Sequence, residues 1–406
     1  MTKTTLLSPI ALAAALFGAA GPATAQDAIS DGVVRIGVLN DRSGLYADMA
    51  GEGSVEAARM AAEEFGGEVA GVPVEIVFAD HQNKPDVGVS IARKWYDADG
   101  VDVIMDIGNS AVSLAVNELV KNNNKLVLHT SASAALSGED CAPRSVQWQY
   151  SVFSAADKVV TQQMIDEGLD SFFIIAVDYA LGDSIIETFT NSIERMGGEI
   201  VGVVRHPLNT PDMSSYLLQA QASGAKGIML ANAGTDLGTA VRQAMEFGVT
   251  PGVQLLAAAL TTDVIDANGL DVMQGVQVLS QYNMYRNEEG RAWLEAFAER
   301  HGTTPSSLQA GTYSAALNYL KAVDATGTDD ADTVLDWLKE QEINDAFASS
   351  GHILDNGLHS HDMYLARIKA PDQSEGPGDY FDVIEVLPGE VANVAPEDSG
   401  CPLVGN

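Results

Sequence analysis

Positive charge is scarce in this chain. Against 56 Asp and Glu residues stand 22 Lys and Arg, a formal net charge of −34 over 406 residues. Such a field repels phosphate backbones and anionic lipid surfaces, which speaks against nucleic acid and membrane surfaces as partners. Cysteine is nearly absent, with Cys141 and Cys401 the whole complement. Long apolar runs are missing too: the segment 6–20 is the longest, and it falls short of the ~20 residues that span a bilayer. Two signatures of chemistry are also lacking. The first apolar run, Gly37-Val38-Leu39-Asn40, carries no nucleotide-binding glycine fingerprint, and no Gly-x-Ser-x-Gly elbow occurs. Ser110 and Ser131 have no identifiable His–Asp partnership. A hydrolase would need a nucleophile or a metal, and neither stands out, so the chain reads as no enzyme and as needing no cofactor.

What is present begins with an export signal. Lys3 supplies a positive start, 6–20 an apolar stretch, and Ala23-Thr24-Ala25 the small residues a signal peptidase cuts after. Residues 1–25 are therefore expected to be removed, leaving a soluble periplasmic chain that starts at Gln26. No Cys follows the cut, which leaves no lipid-anchor site there. In an oxidising compartment, two cysteines and no more are expected to pair. A Cys141–Cys401 disulfide would tie the C-terminal tail to the first half of the chain; a metal or catalytic pair is the other reading, but the spacing fits no metal motif.

Roughly 380 residues after the leader are too many for one compact core and suit two domains. Apolar runs at 33–39, 74–80, 101–107, 125–130, 172–178, 199–206, 227–233, 254–260 and 276–282 alternate with amphipathic segments. Many of the runs are nearly continuous in hydrophobics, as strands covered on both faces are. Strict alternation predicts α/β structure with doubly wound parallel sheets, and the pattern occurs twice. Helices at 288–300, 307–323 and 331–339 follow, then a hairpin on Asp355-Asn356-Gly357 between 351–354 and 363–369. This order predicts interleaved, Rossmann-like lobes joined by about three hinge crossovers, near 150, 283 and 351. Lobe one takes 26–150 and 284–350, lobe two 151–283 and 351–385, and the tail 386–406 returns to lobe one.

Five segments, in this order, carry a resemblance: Ile36-Gly37-Val38-Leu39-Asn40-Asp41-Arg42-Ser43-Gly44, Ala79-Asp80-His81-Gln82-Asn83-Lys84-Pro85-Asp86, Asp178-Tyr179-Ala180-Leu181-Gly182, Ala231-Asn232-Ala233-Gly234 and Gln309-Ala310-Gly311-Thr312-Tyr313-Ser314-Ala315. They resemble the type I periplasmic binding proteins of the leucine/isoleucine/valine-binding class. The resemblance implies a monomeric two-lobed receptor with a small-molecule ligand between its lobes and an ABC-transporter permease as partner. A binding protein that feeds a sensor would look the same in sequence.

In open α/β sheets ligands sit beyond the carboxyl ends of strands, where helix starts present N–H groups that favour a carboxylate. Three loops of lobe one qualify: Ser43 to Tyr46, Asn109-Ser110, and Ser131-Ala132-Ser133. Each is also an ordinary place for a helix cap; it is their coincidence with the carboxylate loops of the resembling family that favours ligand contact. From lobe two come Tyr179, Asn232, Ala233 and Thr261, with Leu181 a competitor for the role of Tyr179. The crowd of His352, His359, His361 and Asp362 has no zinc spacing and reads as a solvated turn.

One departure bears on the ligand. Amino-acid binders of the class hold the ammonium group with an acidic residue after the strand that corresponds to 254–260. Here the chain reads Ala259-Leu260-Thr261-Thr262, and Asp263 arrives late. The family's aromatic at the preceding strand end is replaced by Ala233, which leaves room. The expected ligand is thus a bulky carboxylate without an α-ammonium group, such as an aromatic, keto or hydroxy acid, with an amino acid as the alternative.

Overall fold

The computed structural model describes residues 1–2, 29–149 and 151–405. The expected cleavage site at Ala25, and Tyr150 at the first expected crossover, lie outside the described residues.

Two sheets organise the chain. The first holds β1 (Val34–Asn40), β2 (Glu68–Val69), β3 (Val72–Asp80), β4 (Val103–Met105), β5 (Leu126–His129) and β6 (Ser145–Gln147), in the order β2-β3-β1-β4-β5-β6. All its pairings are parallel except β2 with β3. The second sheet opens with β7 (Ser171–Val177), β8 (Glu199–His206), β9 (Gly227–Ala231), β10 (Gln254–Ala257) and β11 (Gln277–Ser280). A two-stranded ladder of β12 (His352–Ile353) and β13 (His359–Ser360) comes next. Then β14 (Met363–Ile368) and β15 (Phe381–Leu387) join the second sheet antiparallel, giving β15-β14-β11-β10-β9-β7-β8.

The unbroken hydrophobic runs become central strands because both faces are covered. In β7, Phe172, Ile174 and Ala176 pack on one side with Phe189 and Val152, while Phe173 and Ile175 pack on the other with Leu217 and Leu237. That is the two-residue alternation of a strand with apolar partners on both faces. The first sheet is built likewise. Ile36, Val38, Val103 and Leu128 face the helices Gly51–Glu64, Glu288–His301 and Ser307–Thr326, and Leu39, Ile104 and Val127 face Trp95, Val112 and Val116.

The late helices thus complete the core over the first sheet, and β14 and β15 complete the second sheet. The chain passes between sheets after β6, again after β11, and a third time between Ser360 and Met363. This third passage falls later than the expected position near residue 351. Gly357 accepts the Gln147 N–H at 2.8 Å and Leu358 bridges to Gln147, so 352–360 belongs with the first sheet.

Three expectations need correction. The Asn-Gly turn exists, but β12 pairs with β13; the run from 363 pairs with β11 because Met363, Leu365, Ala366 and Ile368 are too buried for a surface hairpin. The single helix expected over 156–167 is two, Val152–Lys158 and Gln162–Asp166, each started by a capping hydroxyl, Ser151 and Thr161. His359 and His361 are buried rather than solvated, the first stacked on Trp148 at 4.7 Å and the second edge-on to Phe347 at 5.0 Å. Cys141 and Cys401 are joined as expected, their Cα atoms 5.6 Å apart.

Candidate functional site: a cleft between the sheets

Both sheets point their carboxyl ends, and the helix starts that follow, at a common cleft. It holds about 420 Å³ of space, open solvent at its mouth included. Tyr46, Met49, Gly108, Ser110, Thr130, Ala132 and Leu308 border it from the first sheet's side; Tyr179, Leu181, Ala233, Ala259 and Thr261 border it from the second's. Gln149 and Gln281, from the first two passages between sheets, complete it. Among the described residues no charged side chain lines this space.

Ser110 borders the cleft and opens the eleven-residue helix Ser110–Val120, so the start of that helix, with its positive dipole end, lies at the cleft. Asn109 caps that helix, its Oδ1 accepting the Val112 N–H at 3.1 Å, which commits the side chain to the helix. Ser131 Oγ donates to Ser110 Oγ at 3.4 Å and accepts the Ser133 N–H at 3.3 Å, so it braces the lining serine from behind. The Ser133 hydroxyl is buried without a partner. Ser43 lies outside the lining; its hydroxyl donates to Asp80 at 2.6 Å.

The loop that delivers Tyr46 is wound around Asp41, whose carboxylate accepts N–H bonds from Gly44 at 2.8 Å and Tyr46 at 2.9 Å. Deeper in, Asp106 is fully buried and accepts Asn40 Nδ2 at 2.8 Å and the Thr130 hydroxyl at 2.9 Å. Burial pushes its carboxyl up to about 6. With its proton committed to Asp106, Thr130 has only lone pairs to offer toward the cleft.

From the opposite side, Tyr179 stands at the start of the helix Ala180–Arg195, and its hydroxyl touches that of Tyr46. Burial raises both phenols above their ordinary range, so they stay neutral donors. Ala233 precedes the helix Gly234–Glu246. A Cβ on Gly234 would stand 3.2 Å from the Leu45 carbonyl and the Tyr46 ring, and its φ of 58° is one that side chains resist. Bare backbone there lets the second sheet's wall close onto the tyrosine loop. Asn232 lies behind, its Nδ2 3.2 Å from His206 Nε2. The buried Thr261 hydroxyl lies close to the Asp263 carboxyl, whose Oδ1 is buried too and has no well-formed hydrogen bond. Burial pushes Asp263 up to about 6.

Of the sequence candidates, Tyr46, Ser110, Ala132, Tyr179, Ala233 and Thr261 border the cleft; Ser131, Ser133 and Asn232 sit behind it; Ser43 and Asn109 are spent on local structure. Gln149 and Gln281 had no sequence signal, because they lie in connections rather than at helix starts. A serine–histidine contact exists at Ser113 Oγ and His129 Nδ1, 2.7 Å, but both residues are fully buried away from the lining.

A mostly apolar cleft between two open parallel sheets, with few polar groups and helix starts aimed inward, is the form of a small-solute receptor. Residues 33–376 match the family model described as periplasmic binding protein, and the chain belongs to that family, the type I periplasmic binding proteins of ABC transporters. It is similar to a periplasmic binding protein from Burkholderia mallei, 38% identical over 92% of this chain and 99% of that one, with a TM-score of 0.88. It is also similar to a branched chain amino acid ABC transporter periplasmic ligand-binding protein from Burkholderia xenovorans LB400: 39% identical, 91% and 99% covered, TM-score 0.81. At 17% identity the fold extends to an R. palustris ABC transporter solute-binding protein in complex with benzoate, 92% and 100% covered, TM-score 0.80. The family is one of solute-binding proteins that work with transporter permeases, and its place is the periplasm.

Proposed function

We propose that this protein captures a small carboxylate with an apolar body, an aromatic acid foremost, and presents it to the permease of an ABC importer. The observation that carries the reading is a lining without charge. A carboxylate finds the Ser110 helix start and its hydroxyl; among the described residues an α-ammonium group finds no carboxylate at the cleft surface, and burying it unpaired costs on the order of several kcal/mol. The apolar faces of Tyr46, Tyr179, Leu181 and Leu308 suit a flat hydrophobic body.

In this reading the walls belong to two lobes, and the three passages serve as their hinge. Ligand docks on the Ser110 side first, and the Tyr179 wall then closes over it. The contact of Tyr46 with Tyr179 supports closure as the ligand-holding arrangement.

An amino acid is the second reading, favoured by one observation: the buried oxygen of Asp263, next to Thr261, that has no well-formed hydrogen bond. The name of the Burkholderia xenovorans relative points the same way. Isothermal titration with benzoate and with leucine separates them. Tight benzoate binding with a weak or absent leucine response is expected. Tight leucine binding with no response to aromatic or other organic acids ends the proposal.

A further inference from the structure

We infer that Gln149 and Gln281 form a second recognition point, which reads a polar group on the ligand remote from its carboxylate. The inference rests on the aromatic-acid reading above and adds a substituent to it. Both glutamines border the cleft and are nearly inaccessible, at 1% and 2% exposure. They are linked: Gln281 Nε2 donates to Gln149 Oε1 at 2.7 Å, and Gln149 Nε2 donates to the Ser307 carbonyl at 2.7 Å, at the head of the helix Ser307–Thr326. Gly311 on that helix leaves the room: a Cβ there would stand 2.6 Å from Gln149 Nε2. The amide is therefore held in place by bare backbone on one side and a partner amide on the other.

An amide carries two N–H groups and two acceptor lone pairs. The two bonds above use one of each on Gln149, which leaves a donor and an acceptor for a guest. A hydroxyl suits such a pair, since it donates and accepts at once. The rest of the lining is largely aliphatic and aromatic: Thr130 offers lone pairs alone, Ser110 is taken by the carboxylate, and Thr261 is a single hydroxyl on the opposite wall, so the linked amides are where a ring hydroxyl best recovers the partners it had in water. The pair thus selects ring-hydroxylated aromatic acids over bare ones. A site that hydrogen-bonds a substrate hydroxyl discriminates against the analogue lacking it, because its own polar groups are left unpaired.

The test titrates the full mature chain with benzoate, 3-hydroxybenzoate, 4-hydroxybenzoate and leucine, then repeats this with Gln149→Leu and Gln281→Met after confirming their melting transitions. At least one hydroxybenzoate should bind the wild type roughly tenfold or more tighter than benzoate, and either variant should bring that ratio close to one. A wild-type protein that takes benzoate as well as both hydroxybenzoates overturns the inference and leaves the aromatic-acid reading intact. So does a preference that survives in both variants. Binding of leucine alone removes the underlying reading and the inference with it. A wild-type ratio near one overturns the inference even where a variant fails to fold.

Discussion

The wall of the cleft on the first sheet's side is braced by buried polar groups: Asp41 gathers the tyrosine loop, Asp106 holds Asn40 and Thr130, and Ser131 backs Ser110. The wall on the second sheet's side is finished with Leu181, Ala233, Ala259 and one tyrosine. The first wall has its hydrogen-bonding groups fixed in advance, so an anionic ligand of the kind proposed would meet them without rearrangement. The second brings surface and shape, which matter only once the walls meet. On the proposed reading, recognition of charge and recognition of bulk are divided between two parts of one chain.

The comparison breaks most severely where the walls touch. Gly234→Val places atoms where Leu45 and Tyr46 now lie and strains a left-handed backbone; affinity should fall by about a hundredfold or more, read by titration, with a stability loss of about 1–3 kcal/mol in urea unfolding. Tyr179→Ala should weaken binding roughly tenfold to a hundredfold and also reduce ligand-induced compaction in small-angle scattering, since it removes contact made on closing. An unchanged affinity would take Tyr179 out of the site. Ser110→Ala on the braced wall should weaken binding about tenfold, as loss of a hydrogen bond to a charged group does, while the compaction of ligand-saturated protein stays as in the wild type.

The smallest effect sharpens the chemistry of the guest. Asp106 and Asp263 both have carboxyl groups lifted to about 6, so each takes up a proton as pH falls from 7 toward 5. Neutralising them removes repulsion of an anion, and affinity for an aromatic carboxylate should rise a few-fold over that range. An amino acid held by ionised Asp263 would instead bind more weakly as pH falls through 6. Titrations at pH 7.5 and 5.5 tell the two apart by sign, and Asp263→Asn should flatten the dependence. Stability carries the same logic. These buried carboxyls cost stability as they ionise, between about 4 and 6. The buried His359 and His361, lowered to about 4 and about 3, favour the fold above about 6.5 and lose that contribution as pH falls through those lowered values.

Most of the architecture was legible because burial on both faces leaves a plain mark: runs such as Phe172 to Val177 have no polar position to spare. β15 left no such mark, since Asp382 through Val386 are exposed and only its end residues are buried. β6 is three residues long, too short for a period. In the cleft, the rule that ligands meet helix starts led to Ser110, Tyr179 and Ala233. It also led to Asn109, whose amide is consumed by its own helix, because a cap and a ligand contact use the same residue types. Gln149 and Gln281 escaped because connections between sheets have no periodicity, and their meeting depends on tertiary structure alone.

The bond between Cys141 and Cys401 has a further consequence for how the molecule is made. Phe297, Tyr319 and Leu338, far along the chain, fill the same core as Ile36 and Val38. A chain delivered N-terminus first therefore brings out all of the second sheet's parallel strands before the first half has its full interior, and the covalent clasp waits for Cys401, after every strand of both sheets. A truncation just before Cys401 that spares every cleft residue would still deprive the molecule of its fastening.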